Sequence, residues 1–259
     1  KSMHTKIVGY CHWWEMKSCN GPDNRAGKPK WLWLPIELLG ISQMDTCYIN
    51  TQDQKNRVLK EAGDTFNQEF VTKLDNILSV WNLGLPKQKI VSDVKKSKEK
   101  LIVFNHRAAA YKGYPKFMEL MVEYRKTRDD FKVWIPQLNG KPPHTWVDNT
   151  KVPKHDYYKR LQDCVVGVQM KQTNYGWSVS GTDCMMNGTP MIWHDSDCYR
   201  EIDPNGMFFK YKKDFFNYLD KILDDDTFRK EHDKMSLNRA LELSLNEEIM
   251  IKELHNKLK

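Results

Sequence analysis

Residues 100–113 read KLIVFNHRAAAYKG. The unbroken apolar run Leu101-Ile102-Val103-Phe104 is what a strand buried on both faces requires, and it predicts a strand over residues 100–105. The run stops at Asn105. A loop follows that carries Arg107 and Lys112, five residues apart, and Gly113 then opens a segment in which Phe117, Leu120, Met121 and Tyr124 recur at helical spacing. Strand, basic loop and helix form the first half of a βαβ unit. In doubly wound folds ligands bind beyond the C-terminal ends of the strands. Arginine offers a planar fork of donors, lysine a point charge, and a helix start adds partial positive charge, all suited to phosphate oxygens. The plainer alternative is two solvated basic residues in a loop.

The same alternation continues outward in both directions. Towards the C-terminus, strands are expected at residues 131–135 (FKVWI), 164–170 (CVVGVQM), 190–193 (PMIW) and, as an edge, 206–210 (GMFFK). Helices are expected over residues 113–127, 154–162, 180–187, 214–223 and 226–258. Strands alternating with helices of this length predict a parallel sheet. Towards the N-terminus, residues 6–12 (KIVGYCH), 45–50 (DTCYIN) and 74–81 read as strands. A helix over residues 51–62 is capped by Thr51 and stopped by Gly63.

The expected organisation is therefore a partial N-terminal Rossmann-like domain over residues 1–86 on the acceptor side and a polar, charge-dense linker over 87–99. A complete C-terminal Rossmann-like domain follows over 100–240, and a C-terminal helix over 241–259. The N-terminal part is read as incomplete, because a self-sufficient α/β domain needs roughly 100–150 residues.

Two further groupings carry candidate chemistry. Residues 173–192 run TNYGWSVSGTDCMMNGTPMI: a glycine-bearing polar loop, a short helix, Gly-Thr-Pro and a strand. Ser178, Ser180, Thr182 and the amides around Tyr175, Gly176 and Gly181 can donate to an anion at a helix start. Asp183 can accept from sugar or ribose hydroxyls, or simply answer the helix dipole. At the end of the first strand stands His12-Trp13-Trp14-Glu15, where His12 and Glu15 can orient an acceptor hydroxyl or take its proton; a packed histidine and an exposed glutamate are the alternative.

Composition sets outer limits. The chain has 259 residues, 41 Lys+Arg against 34 Asp+Glu, and a formal charge of +7. That excess permits a polyanionic partner without demanding one, and it equally suits contact with anionic lipid surfaces. No run of 18 apolar residues exists, so a transmembrane helix is excluded. No signal peptide is visible, and six cysteines without a CxxC pair point to free thiols, so a cytoplasmic location is expected. Asp224, Asp225 and Asp226 form an acidic triplet between two helices, read as a cap and a solvated turn, and no metal site is predicted.

The groupings occur in the order found in retaining glycosyltransferases of the GT-B fold, which the chain resembles from residue 6 to the last helix. Residues 105–113 (NHRAAAYKG) resemble the family's R-x4-K-G donor-phosphate motif, which implies diphosphate-binding and catalytic roles for Arg107 and Lys112. Residues 182–191 (TDCMMNGTPM) resemble its E-A-M-A-x-G-x-P-V segment, with Asp183 at the acidic position that holds the donor's ribose. Residues 157–170 resemble its Y-x-x-A-D-V-x-V helix and strand, and His12 resembles its strand-end histidine. The paired glutamates E-x7-E are not both present: Asp183 replaces the second, and the first falls on Tyr175. Within the fold, residues 105–117 and 188–193 look most like phage DNA α-glucosyltransferases. That resemblance implies a UDP-sugar donor, no required cofactor, and a hydroxymethylated pyrimidine in DNA as acceptor, in the host cytoplasm if the chain is phage-encoded. A polysaccharide, glycolipid or protein acceptor is the alternative, and a non-catalytic nucleotide-sugar or nucleic-acid binding module is a third reading.

Overall fold

The computed structural model describes residues 5–11, 30–92, 94, 96–97, 99–172 and 176–258. His12, Trp13, Trp14, Glu15 and Tyr175 lie outside the described residues. The chain divides into two compact units. Unit 1 takes in the described residues of 1–83, 173–177 and 246–259; unit 2 takes in 84–172 and 178–245.

Unit 1 holds three parallel strands, β1 (Val8–Cys11), β2 (Thr46–Ile49) and β3 (Leu78–Val80), in that order across the sheet. Helices α1 (Lys30–Ile41), α2 (Gln52–Gly63) and α3 (Gln68–Ile77) join them. Thr51 caps α2 as expected, its hydroxyl accepting from the Gln54 amide at 3.1 Å. Leu34, Leu38 and Ile41 from α1 meet Val58 and Ala62 from α2 and Leu74 and Ile77 from α3 over Cys47 and Ile49 of β2.

The strand expected over residues 74–81 is corrected by this arrangement. Residues up to Ile77 are helical, and only Leu78–Val80 is strand. Leu74 and Ile77, three apart, both face the core, and Asn67 caps the helix through the Phe70 amide at 3.0 Å. A short apolar run satisfies either period, and here the cap upstream decides it.

Unit 2 holds six parallel strands: β4 (Leu101–Val103), β5 (Lys132–Trp134), β6 (Val147–Asp148), β7 (Val166–Gln169), β8 (Met191–His194) and β9 (Met207–Phe209). Their order across the sheet is β6-β5-β4-β7-β8-β9. The chain thus travels outward from β4 to β6, returns to the other side of β4, and travels outward again. The reversal lies between β4 and β7, and at such a switch point the connections leave in opposite directions and open a crevice at the strands' C-terminal ends. Every strand in the centre is buried on both faces, which is why β4 and β7 read as continuous apolar runs. Its helices are α4 (Tyr114–Tyr124), α5 (Lys154–Asp163), α6 (Val179–Met186), α7 (Asp197–Ile202), α8 (Lys212–Asp224) and α9 (Asp226–Leu258), of which residues 246–258 group with unit 1. The two-residue strand β6 was too short to leave a pattern in the sequence.

The described residues of 87–99, the expected linker, group with unit 2. The Val91 amide donates to the Met186 carbonyl at 3.0 Å. The buried Lys96 ammonium donates to the carbonyls of Cys164 and Gly188, at 2.7 and 2.9 Å, and to the Thr189 hydroxyl at 3.1 Å. Asp233 on α9 lies 3.8 Å from it. Burial pushes Lys96 below the ordinary lysine range and Asp233 up to about 6. Desolvation therefore outweighs the attraction between them. Asp225 caps α9 through the Thr227 and Phe228 amides, as the acidic triplet led one to expect.

Candidate donor site at the switch point of unit 2

Asn105, His106 and Arg107 follow β4 directly, and Gln169 ends β7, so the switch point brings them together. His106 is buried, with its ring edge-on to Phe104. Its Nε2 lies 2.7 Å from the Gln169 side-chain oxygen. That same oxygen accepts from the Ser178 hydroxyl at 2.5 Å, while the Gln169 amide nitrogen donates to the Met170 carbonyl. With the amide oriented in this way, Nε2 of His106 carries the proton. Burial, and then the Lys112 charge, push His106 down to about 3, so the imidazole is neutral at ordinary pH.

The Ser178 hydroxyl also accepts from the Gly181 amide at 3.1 Å, which makes Ser178 the N-cap of α6. The chain His106–Gln169–Ser178–Gly181 thus ties the ends of β4 and β7 to the start of α6. It also commits the Ser178 hydroxyl inside the fold. Thr182 is likewise turned inward, its hydroxyl donating to the Val179 carbonyl at 3.1 Å. Gly181 meets Trp193 so closely that a Cβ there would stand 2.8 Å from the ring's Cζ3, so the glycine lets α6 lie against β8. The Ser180 carbonyl accepts from Asn105 Nδ2 at 3.1 Å, and its side chain is half-buried. Gly176 falls in the segment 173–177 that groups with unit 1.

Lys112 is placed by Gly113. That glycine has φ +77°, and a Cβ on it would stand 2.6 Å from Met170 Cβ and 2.9 Å from the Lys171 carbonyl. Both constraints favour glycine, and together they hold the loop of residues 106–112 against the end of β7. Lys112 Nζ then donates to Gln172 at 2.9 Å and lies over the Tyr111 ring.

Arg107 is exposed, and its backbone forms an isolated parallel bridge with Gln137 beyond β5. Next to it opens a cavity of about 620 Å³ lined by Arg107, Ala108, Ala109, Pro136, Gln137, Asn139, Lys151, Val152 and Tyr157. Two cations and two amides therefore face a space large enough for a nucleotide. Lys151 donates to Asn139 at 3.0 Å, and Asn149 ties this rim together through the Gly140 carbonyl.

Tyr157, on α5, connects this cavity to α6. Its hydroxyl donates to Asp183 Oδ2 at 3.3 Å. Burial pushes Asp183 up to about 6, opposed by the Tyr157 hydrogen bond and by the charges of Lys89 and Lys154. Tyr157 is itself pushed far above the ordinary phenol range by burial and by the Asp183 charge, so it remains a donor. Asn105 stands nearby with its Oδ1 buried and without a hydrogen-bond partner among the described residues.

Arg107, Lys112 and Asp183 thus belong to one end of the unit 2 sheet, whereas the Ser178 and Thr182 hydroxyls serve the fold. Sequence reading passed over Gln169, Gln172, Asn139 and Lys151. Gln169 had a signal, a polar residue closing the apolar run CVVGVQM; the other three lie in loops whose patterns are uninformative.

No family model and no curated protein matches the sequence. Solved structures do. TarM of S. aureus is similar over 96% of this chain and 50% of its own, with 14% identity and a TM-score of 0.73. Sucrose-phosphate synthase of Thermosynechococcus elongatus is similar over 99% of this chain and 69% of its own, with 12% identity and a TM-score of 0.72. HepE of Anabaena, solved with UDP and glucose, is similar over 96% and 71%, with 10% identity and a TM-score of 0.71. The chain spans half the length of TarM. At these identities the likeness speaks to architecture, and the architecture is α/β with parallel sheets, the GT-B fold of glycosyltransferases.

Proposed function

We propose that the chain belongs to a glycosyltransferase that takes a sugar from a UDP-sugar donor, with unit 2 holding the donor. The observation that carries this reading is the single edge of the unit 2 sheet on which Arg107, Lys112, a cavity of about 620 Å³ and the Tyr157–Asp183 pair all stand. The nucleoside occupies the cavity between Gln137 and Tyr157. Asp183 accepts from the ribose hydroxyls, and Arg107 and Lys112 face the diphosphate.

In the transfer, the bond between the sugar's anomeric carbon and the diphosphate oxygen breaks. A bond to the acceptor oxygen forms, and the acceptor's proton goes to the released diphosphate or, through it, to water. Charge grows on the departing diphosphate, and two cations fixed beside it lower the barrier because they need not reorganise. The neutral His106 adds no charge of its own; its part is to hold the Gln169–Ser178 link. Complexes of structural neighbours support the donor class: one TarM structure contains UDP and alpha-GlcNAc-glycerol, and the HepE structure contains UDP and glucose. Retention of configuration is part of the proposal, and His12 and Glu15 are its candidates for contact with sugar or acceptor.

For the acceptor, the resemblance to DNA α-glucosyltransferases and the charge of +7 support a hydroxymethylated pyrimidine in DNA. The saccharide-derived ligands in the TarM complex favour a second reading, a saccharide or polyol acceptor. Incubation with radiolabelled UDP-sugars and three acceptors separates these readings: plain DNA, DNA carrying hydroxymethylcytosine, and a polysaccharide polymer. Label on the modified DNA alone supports the first and label on the polymer the second. Absence of UDP-sugar binding overturns both.

A further inference from the structure

We propose that Tyr157 is a positioning residue for the donor: its phenol, donating to Asp183 from the wall of the cavity, orients that carboxylate towards the ribose. The inference rests on the reading of Asp183 as the ribose acceptor and deepens it. Tyr157 stands on α5 and Asp183 on α6, so the hydrogen bond of 3.3 Å is made between two helices and not along one. The Tyr157 ring packs 6.1 Å from Trp134 at the end of β5 and 5.3 Å from Tyr158, which fixes the direction of its hydroxyl. The same ring lines the cavity. Tyr157 thus touches both the nucleoside space and the group that would read the ribose. By occupying Oδ2, the phenol leaves Oδ1 to accept from a ribose hydroxyl.

Electrostatics point the same way. Burial favours the protonated form of Asp183, whereas a protonated carboxyl is the poorer acceptor for a hydroxyl. The groups that bear on it are Tyr157, Tyr158 and Lys154 from α5, Lys89 from the turn Lys87–Lys89, and Cys184 beside it on α6. Of these, Tyr157, Lys89 and Lys154 hold the carboxylate ionised. Loss of the Tyr157 hydroxyl leaves the two lysines alone against burial, so the pH at which Asp183 ionises rises. Donor affinity, which requires the ionised form, then falls away at higher pH than in the wild type.

UDP binding by calorimetry from pH 5 to pH 8 tests this, with wild type, Tyr157→Phe, Asp183→Asn and the double variant. Tyr157→Phe keeps the ring and its packing, and Asp183→Asn is isosteric; a thermal melt of each checks the fold. The expected results are a loss of about 5- to 20-fold in UDP affinity at pH 7 for Tyr157→Phe, an acid limb displaced to higher pH, and in Asp183→Asn only the limb that UDP's own terminal phosphate, with a pKa of about 6, gives every variant. The double variant should be no weaker than Asp183→Asn alone. In turnover, donor KM should rise for Tyr157→Phe while kcat stays within about twofold, since the residue touches neither the diphosphate on which charge grows nor the acceptor. If Asp183→Asn weakens UDP while Tyr157→Phe leaves both affinity and acid limb unchanged, the positioning role is overturned and the ribose reading stands. If Asp183→Asn binds UDP as the wild type does, the ribose reading fails and the proposal fails with it.

Discussion

The side-chain oxygen of Gln169 lies 2.7 Å from Nε2 of His106, and both residues are buried. One oxygen at the end of β7 therefore fixes the tautomer of the histidine after β4 and, through Ser178, the start of α6. Replacement by an apolar residue of similar size strands two buried donors at once. Gln169→Leu should cost about 2 kcal/mol or more in urea denaturation, because each unpaired buried polar group costs on the order of 1–3 kcal/mol.

In the proposed transfer, Arg107 and Lys112 stabilise charge that appears only as the donor breaks. Arg107→Ala and Lys112→Ala should each lower turnover at least ~10²-fold with the melting temperature little changed. Arg107 is exposed, so its removal leaves no hole in the fold. A folded variant turning over at the normal rate would remove the phosphate assignment.

Gly181 is held against the Trp193 ring. Gly181→Ala should destabilise unit 2 by about 1–3 kcal/mol, as insertion of a methyl into a packed contact does, even though alanine is the better helix former. Thermal unfolding with and without UDP distinguishes this from a direct loss at the donor site. The melting temperature should fall in both conditions, and the increment produced by UDP should persist.

Asp224 accepts from Arg128 and Lys100, and these hydrogen bonds, Arg128's first, hold its carboxyl down to about 2. The folded value lies below the unfolded one of about 3.9, so the stabilisation is present above pH 4 and is lost as pH falls through 2. The site is solvent-exposed, so the effect is small, under about 1 kcal/mol. Asp224→Asn should lower stability slightly at pH 7, and the difference from wild type should vanish near pH 2 in denaturant titrations.

Much of unit 2 was legible because buried parallel strands leave unmistakable marks. LIV of the run LIVF became β4 and VGVQ of the run CVVGVQM became β7, and the expected strands and helices appear in the expected order, with β6 and α7 unforeseen between them. Caps were legible for the same reason: Thr51 serves α2 through a local hydrogen bond that needs no distant partner. Leu74 and Ile77 were misread because three-residue spacing in a short apolar run fits helix and strand alike. Val147 and Asp148 were missed because two residues carry no period at all.

Within the candidate site, the division follows the reach of the interactions. Sequence alone determined which residues could bear charge or donate near a strand end: Arg107, Lys112, Ser178 and Asp183 were all marked by local pattern. Only the tertiary structure decided which of them stand at the cavity and which are tied up inside the fold. The strand order β5-β4-β7 sets the loop after β4 beside the end of β7 and bridges Arg107 to Gln137. It leaves the Ser178 hydroxyl bonded to Gln169 inside the fold, and it lets α5 present Tyr157 to Asp183, 26 residues further along the chain. Hydrogen bonds act over about 3 Å of space, whatever the separation in sequence, and that space exists only once the sheet has set its neighbours side by side.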